Sequence, residues 1–192
     1  MEFIRKRLIL FIVIFCFAVI GIAANKVYIN PETSVVWKAS GGDEVLDLGG
    51  LAQDAIDLGA YHDFGVAPRS EWYRWEIFID GYDTAPTLGD PIELYFTMGT
   101  DTTHFAGEPS SGPNDTSEGT ITTDQAKNCT LAGIAKAVSI TAGDNIRKNG
   151  IVRLPLRYVA PVVHNNAAST STLLTGGAHT ITLTPVPPEI QP

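Results

Sequence analysis

Beyond Asn25 the hydrophobic residues recur at every second position rather than every third or fourth. A period of two belongs to strands, whose successive side chains point to opposite faces. Val27 and Ile29 alternate with Tyr28 and Asn30. Ser34–Ala39 reads as a strand closed by Gly41-Gly42-Asp43, and Glu44–Leu48 as another closed by Gly49-Gly50. Such β-branched and aromatic runs between glycines are the strand signature. The strongest run is Trp72–Asp80 (WYRWEIFID). Its row Tyr73, Trp75, Ile77, Ile79 is continuously apolar and faces a core, while Trp72, Arg74, Glu76 and Phe78 face the other way. The second row mixes charge with rings, as on a half-exposed face or a subunit interface. Trp72, Arg74, Phe78 and the nearby Tyr82 are therefore the candidate interface or ligand-contact residues.

Further strands are expected at Ile92–Thr97, Leu131–Thr141, Ile151–Val159 continuing through Pro161–His164, and His179–Thr184. Leu51–Ala60 suggests a short turn of helix, with Leu51, Ala55, Ile56 and Leu58 on one side, and Tyr61–Gly65 begins another strand. Asn149-Gly150 reads as a hairpin turn. Pro155 confines its strand to an edge or a bulge. About eight strands separated by turn signals predict an all-β fold, a single antiparallel β-sandwich of jelly-roll type. The domain spans 25–184, with an extended Pro-rich tail at 185–192. Within it Gly99–Ala126 is almost wholly Gly, Ser, Thr, Asp, Asn and Pro, and reads as a long surface loop of functional or mobile character.

The pattern is different in residues 1–24 (MEFIRKRLILFIVIFCFAVIGIAA), where Arg5-Lys6-Arg7 precedes an uncharged stretch from Leu8 to Ala24. This is the layout of a secretory signal, with Gly21 and Ala23 placed for cleavage. After that reading come an uncleaved anchor, slightly short for a bilayer core of roughly 30 Å with the basic residues at the headgroups, and then a hydrophobic helix buried in an assembly. The leader thus admits membrane contact or export.

Charge narrows the function classes. The chain has 192 residues, 18% of them charged, and a net charge of −8. The leader holds three of the 13 basic residues and one of the 21 acidic ones, so the remainder carries 10 against 20, a net −10. An acidic body repels phosphate backbones, which argues against nucleic acid. Cys16 lies in the leader and Cys129 is alone in the folded part, which precludes a disulfide framework and a cysteine metal site. Cys129 reads as a small core residue.

Candidate chemistry is sparse. His62, His104, His164 and His179 show no metal-ligand spacing, and no nucleophile-elbow, zincin or phosphate-loop motif is present. Asp80-Gly81-Tyr82-Asp83 and Gly99-Thr100-Asp101 offer too few carboxylates for calcium and read as turns. A glycosidase-type pair such as Glu76 with Glu93 needs placing in space, though lone carboxylates on strands mostly face solvent. No metal, cofactor or catalytic residue is expected. Asn114-Asp115-Thr116 and Asn128-Cys129-Thr130 match the short glycosylation pattern. Trp72, Tyr82 and Tyr61 are the aromatics on which a sugar would stack.

Three blocks carry a resemblance: Val36–Gly42 with Leu46–Ala52; Ala67–Trp75 with Ala85–Gly89 and Glu93–Tyr95; and Leu154–Asn165 with His179–Gln191. Over roughly Ser34–Gln191 they resemble a family of small tailed-bacteriophage proteins, virion structural components of the β-sandwich type. The hydrophobic leader and the length and polarity of the 99–126 loop depart from that pattern. The resemblance implies a virion structural protein, foremost a capsid-surface (capsid or decoration) module located in the virion. Its partners would be other virion proteins and copies of itself. The alternative is a secreted or membrane-anchored carbohydrate-binding β-sandwich.

Overall fold

The computed structural model describes residues 33–66, 69–114, 116–168 and 170–186; the expected leader at 1–24 and the tail beyond Val186 lie outside them. Ten strands are described: β1 Val35–Lys38, β2 Glu44–Val45, β3 Ile56–Leu58, β4 His62–Asp63, β5 Trp72–Ile79, β6 Pro91–Gly99, β7 Thr130–Lys136, β8 Ile146–Arg153, β9 Tyr158–Asn165 and β10 Thr180–Pro185. One helical turn, α1 Thr123–Ala126, precedes β7. The strands form two sheets, β2-β1-β10-β5-β8 and β3-β9-β6-β7, with β4 also paired to β9. Among the described strands only β1–β2 pair in parallel.

The pairing order defines the architecture. β6 pairs with β7, β5 with β8, β3 with β9 and β1 with β10, all antiparallel. These are nested partners of one long hairpin, and successive pairs fall in opposite sheets. Pairings β10–β5 and β9–β6 close the roll. That is the all-β jelly-roll sandwich the patterning predicts, built from ten described strands rather than about eight because β2 and β4 add short two-residue pieces, and with β1–β2 parallel rather than antiparallel.

The core lies between the sheets. β5 buries Tyr73, Trp75, Ile77 and Ile79 as its alternation predicts, against Ile92, Leu94 and Phe96 of β6 and Val159 and Val163 of β9. Trp37 is fully buried, and its indole N–H donates to the Ala60 carbonyl at 2.8 Å, tying β1 to the segment after β3. Pro161 sits within an interior strand. Its carbonyl accepts from Gly59 N–H at 3.0 Å. Its missing N–H therefore points to the same side, toward the gap between β3 and β4, and leaves the β6 ladder intact.

Three local expectations are corrected. Leu51–Ala60 forms no helix: Asp54 turns through φ 57° and residues 56–58 join β9 as β3, so ladder bonds prevail over a weak helical pattern. Asn149-Gly150 is not a turn but the middle of β8, opposite Glu76 and Trp75. A Cβ on Gly150 would lie 2.7 Å from the Trp75 ring, so the glycine makes room for an indole rather than a bend. β7 ends at Lys136, short of Thr141.

The loop at 99–126 is laid over the outer face of the second sheet. Every residue of β9 is buried, because its outward row (Tyr158, Ala160, Val162) packs under Phe105, Ile121 and Ala126, with Leu58 and Tyr61. Thr97 donates to the Ala106 carbonyl at 2.6 Å, Ala106 N–H to Met98 at 2.9 Å and Gly119 N–H to Leu58 at 3.0 Å. Thr122 and Gln125 form a capping box around α1, which satisfies otherwise orphan amides. Cys129 is half-buried against this layer, and burial pushes its thiol up.

Candidate functional site

The outward row of β5 emerges on the face of the first sheet turned away from the core. Trp72 is 51% exposed. Opposite Trp72 stands Arg153, and opposite Arg74 stand Ile151 on β8 and Thr184 on β10. Val186 continues β10 by donating its N–H to the Trp72 carbonyl at 2.8 Å. Trp72, Ile151 and Val186 thus form one apolar patch, with Ile151 63% and Val186 37% exposed.

The patch is fixed from below. The buried Ser70 hydroxyl lies 2.7 Å from the Trp72 carbonyl and 2.9 Å from that of Val186, and Tyr73 donates its hydroxyl to Ser70 O at 3.0 Å. Arg69 donates to the carbonyls of Leu154 and Pro155. Arg69, Ser70, Glu71, Trp72 and Val186 line a recess of about 230 Å³.

Charge rims the patch. Arg153 donates two hydrogen bonds to Glu71, at 3.0 and 2.7 Å. Farther along, Arg147 lies 3.5 Å from Glu76, with its guanidinium carbon 5.0 Å from the Phe78 ring centre. Phe78 is therefore half-covered by a cation. Arg74 is exposed and forms no ion pair or hydrogen bond with the described residues. Of the residues singled out by pattern, Trp72, Arg74 and Phe78 share this face.

Tyr82 does not. It is 1% exposed, a member of the main core, and bridges to Leu173. Burial pushes its hydroxyl up to about 12. Tyr61 is buried too, its ring 5.8 Å from Phe105 in the outer layer, so neither tyrosine forms a sugar platform.

The remaining candidates disperse. Glu76 and Glu93 project from the outer faces of opposite sheets and form no hydrolytic pair. Burial alone would raise the Glu93 carboxyl, but hydrogen bonds from Tyr95 (2.6 Å), Asn166 (3.0 Å) and His164 (3.1 Å) prevail and hold it low. His62 pairs with Glu44, His104 with Asp101, and His179 bonds Leu174 O, so the four histidines occupy four separate places. Asp80 accepts from Ala178 N–H and Asp83 from Thr175, both across to the distant 175–178 segment, while Asp101 accepts from Thr103 and His104 within its own turn. No group of three metal-type ligands occurs among the described residues. A larger recess of about 510 Å³ runs between Lys38, Asp47, Thr175 and His179, and none of Trp72, Arg74, Phe78 and Tyr82 lines it.

Asp57 stands at the other side of the sandwich. Burial, then Glu118 and Asp47 nearby, push its carboxyl up to about 6, against the hydrogen bond it accepts from Leu58 N–H. The folded state therefore holds the Asp57 proton more tightly than the unfolded chain does. This group's contribution to stability is complete below about pH 4 and is lost as pH rises to about 6. Asp57→Asn keeps the acceptor oxygen and is expected to stabilise the protein at pH 7 by about 1–2 kcal/mol, discounted for partial exposure. It should change nothing at pH 3.5. Urea melts at the two pH values check this; equal gains at both would refute it.

The fold defines the class: a jelly-roll β-sandwich with an apolar patch, rimmed by arginines, on one outer face. No known family model and no curated protein sequence matches the chain. Among solved structures, murine APRIL crystallised at pH 5.0 aligns over 73% of this chain and 82% of its own, at 9% identity and a TM-score of 0.33.

Proposed function

We propose that this chain is a structural component of a bacteriophage-type particle, a capsid or decoration module that binds neighbouring proteins through the outer face of β5, β8 and β10. The observation that carries the proposal is the Trp72–Ile151–Val186 patch. Three exposed apolar side chains lie together on an ordered sheet, rimmed by arginines, which is the composition of a protein–protein contact centre. The sequence resemblance supplies the particle setting, and the jelly roll is an architecture on which capsid domains are built. Fold by itself names no function. Residues 1–24 would add a membrane contact during export or assembly.

Intact-mass measurement on purified particles tests the proposal. The chain is expected in stoichiometric amount, and its absence from the particle proteome would overturn the assignment. Trp72→Ala is expected to lower incorporation at least tenfold, as a contact-centre tryptophan does. Thermal stability should stay nearly unchanged, since the ring is half in solvent.

A second reading has its own observation. The recess beside Trp72 is lined by Arg69, Ser70 and Glu71, polar groups next to a stacking ring, as a sugar site would be. A glycan array distinguishes the two: binding that Trp72→Ala abolishes supports the carbohydrate module, and an array without binding removes it.

A further inference from the structure

We infer that the partner of the Trp72 face is a second copy of this chain, docked head to tail through its β2–β3 edge. The inference rests on the assembly reading above and names the occupant of that surface.

Charge segregation across the sandwich points there. The outer face of β5 and β8 carries Arg74, Arg147 and Arg153; Glu76 lies 3.5 Å from Arg147 and Glu71 holds Arg153, which leaves Arg74 as the exposed cation of that face without an ion pair among the described residues. Residues 43–57, which run from the start of β2 through β3, carry Asp43, Glu44, Asp47, Asp54 and Asp57 with no lysine or arginine. Glu118 joins them by accepting from Asp47 N–H. A chain whose body is strongly acidic has thus placed three arginines on one face and a run of carboxylates on the opposite edge, where Lys38, beside Val45, is a neighbouring cation.

The two poles are far apart. β2 and β8 are the outermost strands of the first sheet, and Ala60 N–H to Val45 O (2.8 Å) fixes β2 beside the end of β3. Four strand spacings separate β2 from β8, roughly 19 Å. That exceeds twice the Debye length of about 8 Å at physiological salt, so the poles do not neutralise each other within one molecule. Arg74 at one pole and Asp43, Asp47 and Asp54 at the other are exposed to a neighbour.

Symmetry then selects the mode. A two-fold pairing of like faces would set the Arg74 cluster of one copy against the arginines of the other, and like charges in contact are repelled. Head-to-tail docking sets Arg74 against the acidic edge instead, and such heterologous contacts close into rings or arrays. Three strands of this face span roughly 26 Å by 15 Å. That is about 400 Å², half of one partner's share in a standard interface. A single contact is therefore weak and salt-sensitive, and gains strength by closure.

Two single-face variants of the full-length chain, Arg74→Glu and Glu118→Lys, test the mode by sedimentation at high protein concentration and low salt. The wild-type chain is expected to associate, and added salt to reverse it; association through the apolar leader would not weaken with salt. Each variant alone is expected to lose at least about tenfold in association constant. Mixed in equal amounts they should form a one-to-one complex, because the intact basic face of one meets the intact acidic edge of the other. Should Glu118→Lys misfold, Asp47→Asn with Glu118→Gln removes the charges while keeping the acceptor oxygens, and serves in its place. A wild type without salt-sensitive association, an Arg74→Glu chain that associates as wild type does, or folded variants that fail to complement each overturn the inference. A chain found in particles that nonetheless gives one of those outcomes loses only the head-to-tail contact. A chain that complements in solution but is missing from particles loses only the particle assignment.

Discussion

Gly150→Val is expected to destabilise the domain by about 3 kcal/mol, at the upper end of what overpacking costs. Trp75→Ala by itself should cost about 3–5 kcal/mol for the lost burial and the cavity. Together the two should cost clearly less than their sum. The reason is a slot. A Cβ on Gly150 of β8 would lie 2.7 Å from the Trp75 ring, and one on Gly133 of β7, in the other sheet, 2.5 Å from the same ring. The indole is flanked by two backbones, so it cannot yield to a side chain from either. Its N–H has no partner among the described residues, so removing the ring breaks no hydrogen bond there. In a Trp75→Ala chain the valine occupies space the ring has vacated. Urea unfolding of the four chains gives the coupling, expected at about 1 kcal/mol or more in the rescuing direction. Strict additivity would show that the ring and the glycines do not share the slot.

The same pair shows where the sequence is legible and where it is not. The alternation in β5 assigns every side chain of that strand to its correct face, because the period of two is a local property. With it come Trp72, Arg74 and Phe78 as surface residues. Asn149-Gly150 misleads, since its local meaning is a turn, while its real cause is an indole opposite on a strand some seventy residues away in the chain. The neighbours of Trp72 escape for a related reason. Ile151 and Val186 join the patch only through register with β8 and β10, and register is set by non-local pairing. Tyr82 follows a strand and precedes an aspartate, which suggests a surface turn, yet its bridge to Leu173 draws the ring into the core. The order of nesting, first strand with last, is likewise outside the reach of any local pattern. The charge poles are different again: the acidic run at 43–57 and the basic β8 are visible along the chain, but their opposition appears only once the sheet order is known.

Phe105→Ala is expected to cost about 3 kcal/mol, which separates two views of the 99–126 segment. A polar loop displayed for a partner would tolerate the change within about 0.5 kcal/mol, as surface positions do. Phe105 is instead 5% exposed, stacked on Tyr61 and packed with Ile121 over the outward row of β9. Losing that ring would open Ala160 and Val162, now fully buried, to water. The segment's composition hides this role: its few apolar residues are spaced by no regular period, so nothing marks Phe105 and Ile121 as one layer until Ser111 bridges Thr120 and folds the loop over. Ser110, exposed in the same loop, is the control, and Ser110→Ala should be close to neutral. Hydrogen exchange gives the sharper reading. In Phe105→Ala the amides of Ala106 and Gly119, which bond to Met98 and Leu58, should lose protection well before those of β5. Equal loss across both sheets would mean that the layer and the core melt as one unit. No loss at all would mean that the loop is a passenger on the sheet rather than its cover.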